Sequence, residues 1–134
     1  MRLTTHSEYA LLALLYLSRN AAKGELISLS RITEEQKLPF KYMEHIMHTM
    51  LRAGLVTSSK GQKGGYKLAK KPGQITVAQV IRLFDGPLAP VDSVSVHFYK
   101  PTVIEKEKKL TKLMKEIRDY ISSKLEKTTL KDLA

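Results

Sequence analysis

The apolar positions of this chain change their period along its length. From Ala10 to Leu17 they read "ALLALLYL", apolar nearly all round, which predicts a helix buried on more than one side. Thr5-x-x-Glu8 has the spacing of a capping box, so this helix is expected to start at Thr5, with Asn20 to Gly24 breaking it. A second helix is expected from its cap, Ser28, to about Gln36, with Leu29 and Ile32 inward. "KLP" then turns the chain. Pro39 suits the first position of a third helix, where the amide it lacks would be unpaired anyway. Met43, Ile46, Met47, Met50 and Leu51 fall at i, i+3, i+4, i+7 and i+8, a core stripe. Lys41, Glu44, His45, His48 and Arg52 lie off it, and Gly54 is expected just past the helix end.

The period then shortens. "LVTSS" and "YKLAK" are strand-like runs around "KGQKGG", which predicts a β-hairpin with a Gly-rich, Lys-bearing tip. A short helix follows, capped by Thr76, with Val77, Val80, Ile81 and Phe84 inward and Gly86-Pro87 stopping it. "GPLAPVDSVSVHFYKP", residues 86–101, is apolar, carries three prolines and has no helical period. Its alternating "SVSVHFY" predicts an extended link. Beyond it one long helix is expected from about Thr102 to Lys127. Val103, Leu110, Leu113, Met114, Ile117, Tyr120, Ile121 and Leu125 make its apolar stripe. A lone helix beyond a small domain has little core of its own to cover such a stripe. Pairing with a second copy is the simplest remedy, so a homodimer is expected.

Charge sharpens the picture. The 134 residues carry 23 Lys and Arg against 13 Asp and Glu, a formal net charge of +10, which favours anionic partners. No acidic residue lies between Glu44 and Asp85, a span that holds Arg52, Lys60, Lys63, Lys67, Lys70, Lys71 and Arg82. Residues 100–134 instead mix both signs along a helix. Cysteine is absent, which excludes disulfides, thiolate metal sites and cysteine nucleophiles. No apolar run approaches the roughly 20 residues of a membrane span. "ALLALLYL" after Arg2 has the outline of a signal peptide, but Glu8 intrudes and no small-residue cleavage site precedes Arg19. A cytoplasmic protein without a membrane partner is expected.

Helix, helix, turn, helix and a basic hairpin is the order of a winged helix-turn-helix. The third helix can enter a major groove, while the hairpin reaches phosphates or a minor groove. Lys60 and Lys63 supply charge there, and the glycines let the backbone approach closely. Double-stranded DNA is the expected partner. "GQKGGY" lacks the Gly-Lys-Ser/Thr ending of a phosphate loop and precedes a strand, so nucleotide binding is not expected. His45 and His48 sit three apart beside Glu44, but a metal would need a further ligand from elsewhere. Glu44 is either a base reader, accepting from a cytosine amino group, or a surface ion pair with Lys41 or Arg52. No arrangement of serine, histidine and acid suggests catalysis, and an enzyme is not expected.

With these residues laid out, the chain resembles the IscR/NsrR/CymR family of bacterial winged-helix transcription regulators, the Rrf-two family. The likeness begins with "HSEYALLALLYLS". It runs through "LPFKYMEHIMHTMLRAGLVTSSKGQKGGYKLAKKPGQITVAQVI" and includes "DGPLAPV", a long helix and a closing "TLKDLA". It implies a homodimer held by the long helix on a pseudo-palindromic operator, with the third helix in the major groove and the wing in the minor groove. Sensor relatives carry three cysteines after "APV" that hold an iron–sulfur cluster. Ser93 stands at the first of those positions and the other two are missing as well. Serine is a poor replacement for thiolate at iron. Glu8 and His97 match accessory ligands of some relatives, but Glu8 is accounted for by the capping box. No cluster and no other cofactor is expected. Where the family often has arginine before the first wing glycine, this chain has Lys60, which suits a narrow minor groove less well.

The fold class expected is therefore mainly α, a winged helix-turn-helix with a small β-hairpin wing and a long C-terminal dimerisation helix. Residues 1–85 form the DNA-binding domain, 86–101 a sensor-loop-like linker, and 102–134 the dimerisation helix and tail. The DNA-facing set is Arg2, Thr5, Ser28, Pro39, Phe40, Lys41, Tyr42, Glu44, His45 and His48. From the hairpin it adds Ser58, Ser59, Lys60, Gly61, Lys63, Gly64, Gly65 and Tyr66. The dimerisation set is Val103, Leu110, Leu113, Met114, Ile117, Tyr120 and Ile121. The expected function is a DNA-binding regulator, a repressor in sense. The competing reading is a sensory module in which residues 86–101 dock a regulatory protein or a small-molecule effector and DNA binding is secondary.

Overall fold

A computed structural model describes residues 1–20 and 24–134. Three helices, α1 (Thr5–Asn20), α2 (Leu29–Gln36) and α3 (Phe40–Arg52), pack around one core. A two-stranded antiparallel hairpin follows, β1 (Val56–Ser59) and β2 (Gly65–Leu68), with Val56 opposite Leu68 and Ser59 opposite Gly65. Then come α4 (Val77–Asp85), α5 (Lys108–Lys127) and the single-turn α6 (Leu130–Leu133). The mainly α fold with its hairpin wing is as the periodicity predicts. The predicted break after α1 spans residues 21–23, which lie outside the described residues.

The middle of the chain folds as its local signals require. Ser28 caps α2 by accepting the Arg31 amide, and Lys37 closes that helix in the left-handed region. Met43, Ile46, Met47 and Met50 are fully buried, and Leu51 packs at the edge of the same core. Gly54, at φ 76°, ends α3: its amide reaches Leu51 O and the Leu55 amide reaches Met50 O, the paired bonds of a Schellman motif. Thr76 and Gln79 cap α4 reciprocally. Pro39 is the N-cap of α3 and not its first helical residue: its φ of −71° suits either place, but its ψ of 123° leaves it extended.

Three expectations are corrected. The Thr5–Glu8 capping box is not made. Thr4 caps α1 instead, and its partner comes from far along the chain. Asp85 accepts hydrogen bonds from the Thr4 amide, the Thr4 hydroxyl and the buried Ser7 hydroxyl. A carboxylate aimed at a helix start satisfies orphan amides and opposes the helix dipole there, so it displaces the local pair. Residues 86–101 are not an extended link. Asp92–Val94 forms a 3-10 turn, and Ser93, Val94 and Ser95 are buried in succession because Arg118 donates to Val94 O at 2.9 Å. The long helix starts at Lys108 and not near Thr102. Val103–Lys106 is a separate 3-10 turn, held back by Ser93–Thr102 (2.6 Å) and Tyr99–Glu105 hydrogen bonds and a β-branched run that disfavours helix. Val103, 81% exposed, is thus not part of the α5 stripe.

The C-terminal turn returns to the first core. Leu130 is fully buried in the main core, where its turn packs against α1 and the Pro72–Gln74 turn, and its amide donates to Ile75 O while the Val77 amide donates to Thr128 O. A second, smaller cluster of Val77, Ala78, Ile81 and Leu88 joins α4 to Leu11 of α1 and Leu125 of α5. The long helix is therefore anchored to the N-terminal half at its end.

Candidate nucleic-acid interface

The α2–α3 pair is joined by the three residues 37–39, the short turn of a helix-turn-helix. Because Pro39 supplies no side-chain cap, the first-turn amides of Phe40, Lys41 and Tyr42 have no partner within the helix. No acidic residue stands in that turn. Phe40, Lys41, Glu44, His45 and His48 are exposed, as the off-stripe reading requires, and Tyr42 is partly so. Tyr42 is steadied from behind: His6 lies 5.1 Å from its ring centre and Tyr9 meets it edge-on at 5.5 Å.

The hairpin is fixed against the same helix pair. Ile27, just before the Ser28 cap, exchanges both backbone hydrogen bonds with Tyr66 at 2.8 Å, so a short third strand ties the wing to the start of α2. Gly65 is required at that crossing, since a Cβ there would lie 2.4 Å from Ile27 O. Gly64 is equally confined, with Ser59 O 2.3 Å from its would-be Cβ. These two glycines serve packing first. Lys60, Gly61 and Lys63 at the tip are exposed.

Wing and helices enclose an open cleft of about 520 Å³. It brings together Ser28, Phe40, His48, Ser58, Ser59, Lys60, Gly61, Gly64, Gly65 and Tyr66 from the predicted set. Arg2, Thr5, Pro39, Lys41, Tyr42, Glu44 and His45 lie outside it, and Lys63 lines a hollow on the other side of the wing with Arg31 and Gln62. Ser30 also lines the cleft and was missed by sequence reasoning. Its only signal was a second hydroxyl two residues after the cap. Glu44 makes no ion pair among the described residues, so the surface-pair alternative with Lys41 or Arg52 is not formed. Its charge is felt across the site instead: the Tyr66 phenol is held above its ordinary value, first by burial and then by Glu44. That phenol stays a hydrogen-bond donor at neutral pH.

The α2–α3 pair with its hairpin has the layout of a winged helix-turn-helix, and the comparisons agree. A family model described as Rrf2, iron-dependent transcriptional regulator, matches residues 3–134. The chain belongs to the Rrf2 family. It is 32% identical over 134 residues to the HTH-type transcriptional regulator CymR of Bacillus subtilis, covering all of this chain and 90% of that one. The solved structure of CymR, the global cysteine regulator of B. subtilis, superposes with a TM-score of 0.86 at 30% identity, over 100% of this chain and 96% of that one. IscR of T. potens superposes at 0.70 and 28% identity, over 99% and 85%. The chain is thus a winged helix-turn-helix transcription regulator, a class that binds DNA and does no enzymology.

The iron of the family description finds no thiolate here, since the chain has no cysteine. The Ser93 hydroxyl is committed to Thr102 at 2.6 Å and is only 8% exposed. Glu8 is released from capping duty by Thr4 and is exposed, but it does not join a cluster. Among the described residues no group of three or more His, Asp or Glu is placed to hold a metal. An iron–sulfur centre does not fit these residues. Among the described residues no helix is long and apolar enough to cross a membrane.

Proposed function

We infer that this Rrf2 protein is a homodimeric repressor that reads a pseudo-palindromic operator without an iron–sulfur cluster. One observation carries the reading: Phe40, at the uncapped start of α3, and the Lys60 tip of the wing line a common cleft within a span free of acidic side chains beyond Glu44. Exposed amides and Lys41 position the backbone, while Glu44, His45 and His48 meet base edges in the major groove. The wing adds charge at the flanking groove. Support for the dimer comes from α5, where Leu110, Leu113, Ile117 and Tyr120 are 39%, 48%, 37% and 73% exposed along one face. Four large apolar side chains in water at helical spacing are best covered by a second copy. Met114 and Ile121 are half-buried and flank that face.

The test is a mobility shift on operator DNA selected from a random pool. The expected result is a two-fold symmetric motif and an affinity that falls steeply with salt, with a log–log slope of about −0.9 per neutralised phosphate. An affinity that hardly changes from low to moderate salt would overturn the reading. Repression itself is checked by placing the selected site over a promoter driving a reporter.

A further inference from the structure

The face of α5 opposite its exposed stripe closes a cavity. Arg118, Ser122 and Glu126 recur every four residues on that face, so they stay clear of a partner seated on Leu113 and Ile117. The cavity measures about 120 Å³ and lies between α5, Arg82 of α4 and the 95–98 stretch of the loop. One wall is apolar, from Leu88, Val96 and Phe98, and the other is cationic, from Arg82 and Arg118. Ser95 and Ser122 complete the lining, the Ser95 hydroxyl accepting the Phe98 amide at 3.0 Å.

The guanidinium groups have capacity to spare. Their side chains are 25% and 20% exposed, respectively. Arg118 donates through Nε and one terminal nitrogen to Asp119, at 2.9 and 2.7 Å, and through the other to Val94 O at 2.9 Å. Of the five N–H donors of a guanidinium, two remain. Among the described residues Arg82 is paired with Glu126 alone. Largely buried donors ask for acceptors, and although Asp119 takes part of Arg118 from outside, Glu126 is the one carboxylate that lines the cavity beside the two cations. His97 also lines the cavity.

We propose that this cavity binds a short-chain carboxylate. The carboxylate group meets the spare N–H donors of Arg118 and competes with Glu126 for Arg82, in the planar pairing guanidinium favours. The alkyl end lies on Leu88, Val96 and Phe98, and an adjacent hydroxyl or oxo oxygen meets Ser95 or Ser122. The volume is far below the roughly 300–1,000 Å³ of a drug-sized site, which restricts the ligand to a few carbons. Glu126 disfavours a dianion. The site does not depend on the DNA-binding reading, because none of its residues belongs to that interface.

The test is titration calorimetry of the full chain with sodium lactate, with inorganic phosphate and sodium chloride at matched ionic strength as comparisons. Saturable binding of lactate is expected, weakened at least tenfold in Arg118→Met and tightened severalfold in Glu126→Gln. Circular dichroism checks that each variant is folded. Should Arg118→Met fail to fold, the near-isosteric Glu126→Gln decides by itself. Absence of saturable heat with lactate, equal or better binding of phosphate, or unchanged binding in folded Glu126→Gln would overturn the proposal.

Discussion

At the scale of single residues, the proposed interface assigns specificity to Glu44 and affinity to the wing lysines. Glu44 is an exposed carboxylate on α3, without an ion-pair partner among the described residues. A carboxylate near phosphates costs binding energy unless it accepts a specific hydrogen bond. Glu44→Ala is therefore expected to relax selection at one base position, by about 1–3 kcal/mol of discrimination, and to leave affinity for other sequences intact or improved. Pool selection with the variant checks this, and a uniform loss across sequences would remove Glu44 from the reading set. Lys60 and Lys63 act through charge alone. Lys60→Ala or Lys63→Ala should weaken binding to all sequences alike and flatten the salt slope by about 0.9 each, read from mobility shifts across a salt series. If only Lys60→Ala changes the slope, the cleft side of the wing carries the phosphate contact and Lys63 faces away from DNA.

At the scale of elements, what the sequence discloses depends on how far apart the deciding residues are. The α2–α3 pair, the hairpin and α4 were legible because Ser28, Gly54 and Thr76 act on partners a few residues away. The α1 cap was misread because its acceptor, Asp85, lies 81 positions from Thr4. No window of sequence contains both. The dyad alternation of "SVSVHFY" misled for the same reason. Burial there follows the grip of Arg118, 24 residues on, and not the local period. The α5 stripe was legible as apolar but not as divided. Leu125 belongs to the α4 cluster, whereas Leu110, Leu113, Ile117 and Tyr120 face outward. Ile117→Lys, placing charge at the middle of the outward face, should convert the proposed dimer to a monomer in sedimentation velocity while leaving the helix content unchanged. It should also abolish tight operator binding, because two half-sites about one helical turn apart need both copies. An unchanged dimer would locate the interface elsewhere.

At the scale of the whole molecule, the C-terminal helices are fastened to the N-terminal half along their length. Arg82 pairs with Glu126 between α4 and α5, Leu125 packs on the α4 cluster, and Leu130 enters the main core, while Asp85 ties the end of α4 to the start of α1. Phe84 lies parallel to His6 at 6.4 Å, and His6 in turn touches Tyr42 on α3. A shift of α4 therefore has a contiguous packed route to α3. The most informative single change is at Leu130. Its side chain is fully buried in the main core, where the C-terminal turn packs on α1. Leu130→Ala removes buried methyl groups and leaves a void, an expected loss of about 2–5 kcal/mol. In urea denaturation the loss should appear as a lower midpoint of one cooperative transition, because the C-terminal turn and the helix-turn-helix share a core. If the variant instead shows two transitions, with the N-terminal half melting at its original midpoint, then α6 is an appendage and the core does not extend to it.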